Sequence, residues 1–257
     1  MHASEVLTKN EMRTLWNWFK ANPDRIEKME ACVTFEDIQD LIPKCSEYNG
    51  IAIYRGLKFD NRLDTDLVRK IFTSKITTKK DIPCESWSSD RETAISVSKY
   101  GSMARFVKDI IKSKPSGVFG FTFKRKVTSK DCLLPIPALF DLDWSGLGRF
   151  KDMIEFEKRI DEKEFIMRNK PLNSTDLTHM YVNELSHTTY MEIENVLPFP
   201  YEAKNEIESI YAQAPPTDFD VFVPEMWVNI DFEKSTLYLG LHNTEKGIYN
   251  KIKTYRV

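Results

Sequence analysis

Four polar residues stand where their types and spacing could do chemistry. Glu162 and Glu164 are separated by a single lysine. On an extended backbone, residues i and i+2 point to the same side, so both carboxylates would face one cleft. Two carboxylates that close repel, which raises one pKa and couples their titrations. Such a pair offers negative charge and hydrogen-bond acceptors to a cation, and can pair with a guanidinium too weakly acidic to lose its proton unaided. Arg55, between Tyr54 and Gly56, carries the forked donor that binds phosphate through two parallel hydrogen bonds. Gly56 lets a ligand approach the backbone closely. Ser86 opens the run Ser86-Trp87-Ser88-Ser89. Taken singly, each pattern also has a plain reading, since short patterns recur by chance: a surface ion-pair arginine, a polar turn, a solvated charge run.

The elements that must position these residues follow from periodicity. Residues 51–55 form a short apolar strand bounded by Asn49-Gly50 and Gly56, and 86–89 a second extended piece. Helices are predicted over 64–72, 91–100 and 102–112, the last two broken at Gly101. Alternation over 118–127 predicts a long half-buried strand, and another follows around 132–136. Residues 141–161, with glycines, serines and charges, resemble a mobile loop with one helical turn. Glu164-Phe165-Ile166-Met167 then reads as a strand with Glu162 and Glu164 at its mouth. A second pair, Glu155 and Glu157, is followed by Lys158-Arg159 and lacks that apolar run, so Glu162/Glu164 is preferred. On period-two alternation, Trp87 points into the core.

The order of the motifs is more specific than any one of them. Aromatic-Arg-Gly ends a strand, Ser-x-Ser and Asp-x-x-x-Ala lead into a helix, and Glu-x-Glu opens a later strand. Over residues 50–168 this resembles the Arg-Ser-Glu class of mono-ADP-ribosyltransferases, which includes arginine-modifying bacterial toxins and the Alt and Mod enzymes of T-even phages. The resemblance implies an ADP-ribosyltransferase-like split β-sandwich and NAD as a consumed substrate, with no metal. It assigns Glu164 to stabilising the oxocarbenium-like transition state through the ribose 2'-OH, and Glu162 to orienting or deprotonating the acceptor. Glutamate at that place goes with arginine as acceptor. Arg55 would hold the NAD pyrophosphate, Ser86 would brace Glu164, and Ser88 or Ser89 would shape the same strand end. Tyr54 and Tyr100 are the candidates to stack on nicotinamide; Val97 stands where the family often carries an aromatic.

The whole chain reads as α+β. Residues 1–49 form an N-terminal helical region, with helices over 11–20, 23–32 and from Thr34 to before Pro43. Residues 50–170 form the catalytic core, and 171–257 a C-terminal extension packed on it. In that extension a helix is predicted over 202–212, extended segments over 219–223 and 226–231, and 235–241 completes a hairpin. Trp16, Trp18 and Phe19 form an aromatic stripe that reads as core rather than as a partner surface. Trp144, Phe150 and Phe156 could contact an acceptor or pack on their own domain.

Several function classes lose ground on composition. Lys plus Arg number 37 against 39 Asp plus Glu, a formal charge of -2, so a basic surplus for duplex nucleic acid is missing. Lys124-Arg125-Lys126 reads as a charged strand edge. Cys32, Cys45, Cys84 and Cys132 are far apart and form no CxxC pair, which disfavours zinc and leaves reduced thiols as the expectation. There is no Gly-x-Gly-x-x-Gly turn for a recycled dinucleotide and no Gly-x-Ser-x-Gly elbow. With no signal-peptide run and no membrane-length apolar stretch, the expected location is cytoplasm, that of a host cell if the chain is of phage or toxin origin. The expected partner is a host or target protein as acceptor. A nucleic-acid acceptor, water in a plain NAD glycohydrolase, and an inactive binding module of the same fold remain as alternatives, and the oligomeric state is not specified.

Overall fold

The computed structural model describes residues 1–19, 32–35, 45–59, 83–101, 119–160, 163–183, 185, 187–195, 197, 199–213, 226–243 and 248–257. Among these residues the elements in chain order begin with α1 (Ala3–Val6), α2 (Lys9–Phe19), β1 (Ala52–Phe59), β2 (Cys84–Ser88) and α3 (Arg91–Tyr100). Then come β3 (Phe119–Lys126), β4 (Cys132–Pro135), α4 (Arg149–Ile160), β5 (Glu164–Arg168) and β6 (Leu177–Val182). The chain closes with α5 (His187–Glu194), α6 (Tyr201–Gln213), β7 (Met226–Asp231), β8 (Thr236–Asn243) and β9 (Ile248–Arg256). Strand pairings are antiparallel, and with the helices they make an α+β protein. No helix among the described residues is long and apolar enough to cross a membrane.

Two compact units divide the chain. The first comprises Met1–Arg55, Thr77–Ala94 and Lys124–Pro171, the second Gly56–Ile76, Ile95–Phe123 and Leu172–Val257. In the first, β4, β5, β2 and β1 are successive neighbours; in the second, β3, β6, β7, β8 and β9 are. β1, β3 and α3 are each split between the units.

The core of the first unit explains why its helices form. Met12, Leu15 and Phe19 recur at helical spacing along α2 and are buried with Leu133, Leu134, Ile136, Leu139, Met153, Ile154 and Ile166. Trp16 and Trp18 pack against the same cluster, as core filling predicts. Trp144 is buried as well, its indole N–H donating to the Leu139 carbonyl at 2.8 Å.

Residues 141–161 depart from the expected loop. α4 occupies most of the stretch, because Phe150, Met153, Ile154 and Glu157 recur at the three- and four-residue intervals of a helix face. Strand β1 runs on through Gly56 to Phe59 instead of ending at the glycine. Strand β6, helix α5 and strand β9 were not foreseen, whereas β3, β4, β5, β7, β8, α3 and α6 lie where the sequence reading expects them. The helices expected at 64–72 and 102–112, most of those at 23–32 and 34–43, and the extended segment at 219–223 lie outside the described residues.

The cysteines also depart from expectation. Cys32 and Cys84 form a disulfide, and Cys132 is buried and not part of a disulfide. Distance in sequence was no guide, since folding brings two cysteines 52 residues apart to a Cα–Cα separation of 5.8 Å. Closing a loop of that size restricts the unfolded chain, so reduction is expected to lower stability by about 2–4 kcal/mol. Denaturation midpoints with and without dithiothreitol would show it. An unchanged midpoint, or a peptide map lacking the Cys32–Cys84 link, would contradict this.

In the second unit, Phe119, Phe121 and Phe123 project from one side of β3, and Phe59 stacks on Phe119 with ring centroids 4.8 Å apart. Gly120 points the other way, where an added Cβ would lie 2.1 Å from the Ser98 carbonyl oxygen. That glycine admits α3 onto the strand. Gly120→Ala is therefore expected to cost about 1–3 kcal/mol through overpacking, read as a lower Tm. A variant as stable as the parent would show that α3 does not sit that close.

Candidate functional site

Parts of the three motifs, far apart in sequence, fall on three neighbouring strands: Tyr54 to Gly56 on β1, Ser86 to Ser88 on β2 and Glu164 on β5. Tyr54 of β1 stands opposite Ser88 of β2, and Ser88 stands opposite Glu164 of β5. Residues directly opposite in antiparallel pairs share a face, so Tyr54, Ser88 and Glu164 form one row across the strands. Ser86, opposite Ile166, shares that face two residues along β2 and is exposed.

The ends of the row are locally shaped. The Ser88 hydroxyl accepts the Asp90 N–H at 3.0 Å. Asp90 then caps α3, accepting from the Glu92 N–H at 3.2 Å and the Thr93 hydroxyl at 2.7 Å. Thus Ser-Trp-Ser-Ser-Asp is a strand end and a helix cap in one phrase. The Ser89 N–H donates to the Lys163 carbonyl at 3.1 Å, holding the start of β5 against the end of β2.

Lys163 has φ 48°, in the left-handed region, so the backbone is not extended just before Glu164. The period-two argument therefore does not carry back from Glu164 to Glu162, and Glu162 itself lies outside the described residues. The competing pair is separated by its helix: on α4 residues i and i+2 diverge, and Glu155 is exposed while Glu157 is buried.

Glu164 is 9% exposed. One of its oxygens, Oε1, accepts the indole N–H of Trp18 on α2 at 3.2 Å. Beside Tyr54, the Lys124 ammonium lies 5.7 Å from the ring centroid, putting a cation next to this face of β1.

Arg55 lies on the opposite face. Its Nη1 is 3.2 Å from Glu85 Oε2 and donates to the Ser86 carbonyl at 3.0 Å. Glu85 is buried, and its other oxygen accepts the Trp87 indole N–H at 2.9 Å. The Arg125 guanidinium lies over the Trp87 ring, 5.2 Å from its centroid. Burial pushes the Arg55 pKa below its usual value, Glu85 pulls it back up, and Arg125 lowers it further. The arginine expected at a pyrophosphate is thus engaged by a buried carboxylate, and Glu85 is the residue that sequence reasoning missed. A signal was present: if Trp87 points inward, Glu85 two residues earlier does too, and a buried carboxylate needs a cation.

Gly56 and Tyr100 belong to the second unit. Gly56 is a half-buried position within β1, and Tyr100 ends α3 with its phenol pKa raised by burial. Of the aromatics considered for acceptor contact, Trp144 is core, Phe150 packs edge-on against Trp16 at 6.4 Å, and Phe156 is exposed. Phe156 lines an open cleft with Trp16, Phe19, Asp152, Met153 and Glu157. Among the described residues no group of three or more His, Cys, Asp or Glu side chains could hold a metal ion.

No protein-family model, curated protein or solved structure matches the chain.

Proposed function

We propose that this chain is a mono-ADP-ribosyltransferase with an ADP-ribosyltransferase-like split β-sandwich core, moving ADP-ribose from NAD to an acceptor. One observation carries the reading. Tyr-Arg-Gly, Ser-Trp-Ser and Glu164 sit on the adjacent strands β1, β2 and β5, with Tyr54, Ser88 and Glu164 in one row. Breaking the bond between ribose C1' and nicotinamide leaves positive charge on the sugar, and a fixed carboxylate at that place lowers the barrier. Glu164 supplies it, and Ser86 and Ser88 offer hydroxyls on the same face. Tyr54 is the stacking ring of the row. Lys124, beside it, takes the pyrophosphate, while Arg55 braces β1 against β2. The acceptor is arginine on a target protein, oriented by Glu162.

The ion pair of Arg55 with Glu85 favours a second reading, in which the fold is kept as a binding module and the arginine is purely structural. The two separate in one experiment: purified protein with labelled NAD and cell lysate, beside a Glu164→Ala control. Label on protein that vanishes in the control, with nicotinamide released, supports the transferase. Label that survives protease but not nuclease moves the acceptor to nucleic acid. Nicotinamide without label means a glycohydrolase. Neither transfer nor release across several lysates leaves the binding module.

A further inference from the structure

The Trp18–Glu164 contact is not explained by core filling. Trp16 meets Phe150 edge-on and Phe19 is buried, whereas the Trp18 indole N–H donates to a carboxylate on another element, 146 residues away. A part-buried indole N–H needs an acceptor, and a buried carboxylate needs donors; this bond satisfies both. The ring itself is held from a second direction. Phe35 packs edge-on against it, with centroids 5.2 Å apart. Cys32, three residues before Phe35, is bonded to Cys84 of β2, which lies on the same alternation of the strand as Ser86 and Ser88.

We propose that Trp18 is a positioning residue for Glu164, an inference that rests on the transferase reading above. A glutamate at a strand mouth has three side-chain torsions, and a charge stabilises a transition state best when its atoms need not reorganise. The indole N–H holds Oε1, Phe35 holds the indole, and the disulfide bonds the chain three residues before Phe35 to β2. Helix α2 thus contributes to the geometry of the site without touching the substrate.

Trp18→Phe tests this, keeping an aromatic ring against Phe35 while removing the indole N–H together with part of the indole's volume. The expected result is a fall in kcat of about ten- to a hundredfold, the worth of one hydrogen bond to a charged group, with KM for NAD within about twofold. In a Glu164→Gln background the same substitution should have no further effect, whereas a general loss of packing would multiply through. The contact has its own readout in the 15N indole resonance of Trp18, which should move on Glu164→Gln while those of the other tryptophans stay.

An active wild type whose kcat is unchanged or raised by Trp18→Phe, or whose two substitutions multiply, overturns the positioning role and leaves the transferase standing. A wild type that neither transfers ADP-ribose nor releases nicotinamide overturns the transferase and the catalytic meaning of the contact together. The indole resonance then reports whether the bond exists as a purely structural one.

Discussion

Replacing Glu164 with alanine is expected to lower NAD turnover by about 10²–10³-fold, equivalent to about 3–4 kcal/mol of transition-state stabilisation. The size follows from the proposed transferase chemistry, in which charge on the sugar develops only as the glycosidic bond breaks and a fixed carboxylate would meet it with little reorganisation. Alanine also strands the Trp18 indole N–H, whose acceptor is Glu164 Oε1, at a stability cost of about 1–3 kcal/mol. Glu164→Gln is therefore the cleaner companion, because the amide oxygen still accepts from Trp18 while the charge is gone. Initial rates of nicotinamide release at saturating NAD, measured well below each variant's Tm, give the comparison. Rates for Glu164→Gln within a factor of two of the parent would remove Glu164 from the chemistry.

Arg55→Met is expected to cost about 3–5 kcal/mol of folding stability, since it breaks a buried ion pair by removing the Arg55 cation from the Glu85 carboxylate. Glu85→Gln added to it should restore most of that loss: the charge disappears, while the amide oxygen can still accept from the Trp87 indole N–H. The double variant then answers a functional question that the single one cannot. If Arg55 is the brace proposed here, KM for NAD in the folded double variant stays near that of the parent. If Arg55 leaves Glu85 to hold pyrophosphate, KM rises at least about tenfold, the loss of a charge-assisted contact. Urea denaturation of both variants checks the stability claim, and recovery absent from the double variant would show that Glu85 is not what Arg55 answers.

Much of the local structure was legible. Alternation marked β3, β7 and β8 were read as an extended segment and its hairpin partner, and Asp90 after Ser88-Ser89 led into α3, because these signals are written in neighbouring residues. Helix α4 was legible in principle, yet the glycines at 146 and 148 and the surrounding charges drew the reading towards a loop. Strand β6 was passed over for a different reason. All of Leu177–Val182 is buried, Thr178 and His179 included, so inward and outward residues do not alternate as apolar and polar.

The site divided along the same line. The residue types and their order along the chain pointed to β1, β2 and β5 as the strands to watch, and to Glu164 as the carboxylate at a strand mouth. Those features are local in sequence, so the sequence by itself determined them. Only the tertiary structure decided which face each residue takes and which distant group answers it. Strand register sets the face, and a slip of one residue would exchange the face of Tyr54, Ser86, Ser88 and Glu164 for that of Arg55, Glu85 and Trp87. Arg55 thus went to Glu85 on one side of β1, and Glu164 to Trp18 on the other. Each bond joins groups far apart in sequence, because a buried charge takes its partner from whatever folding brings beside it.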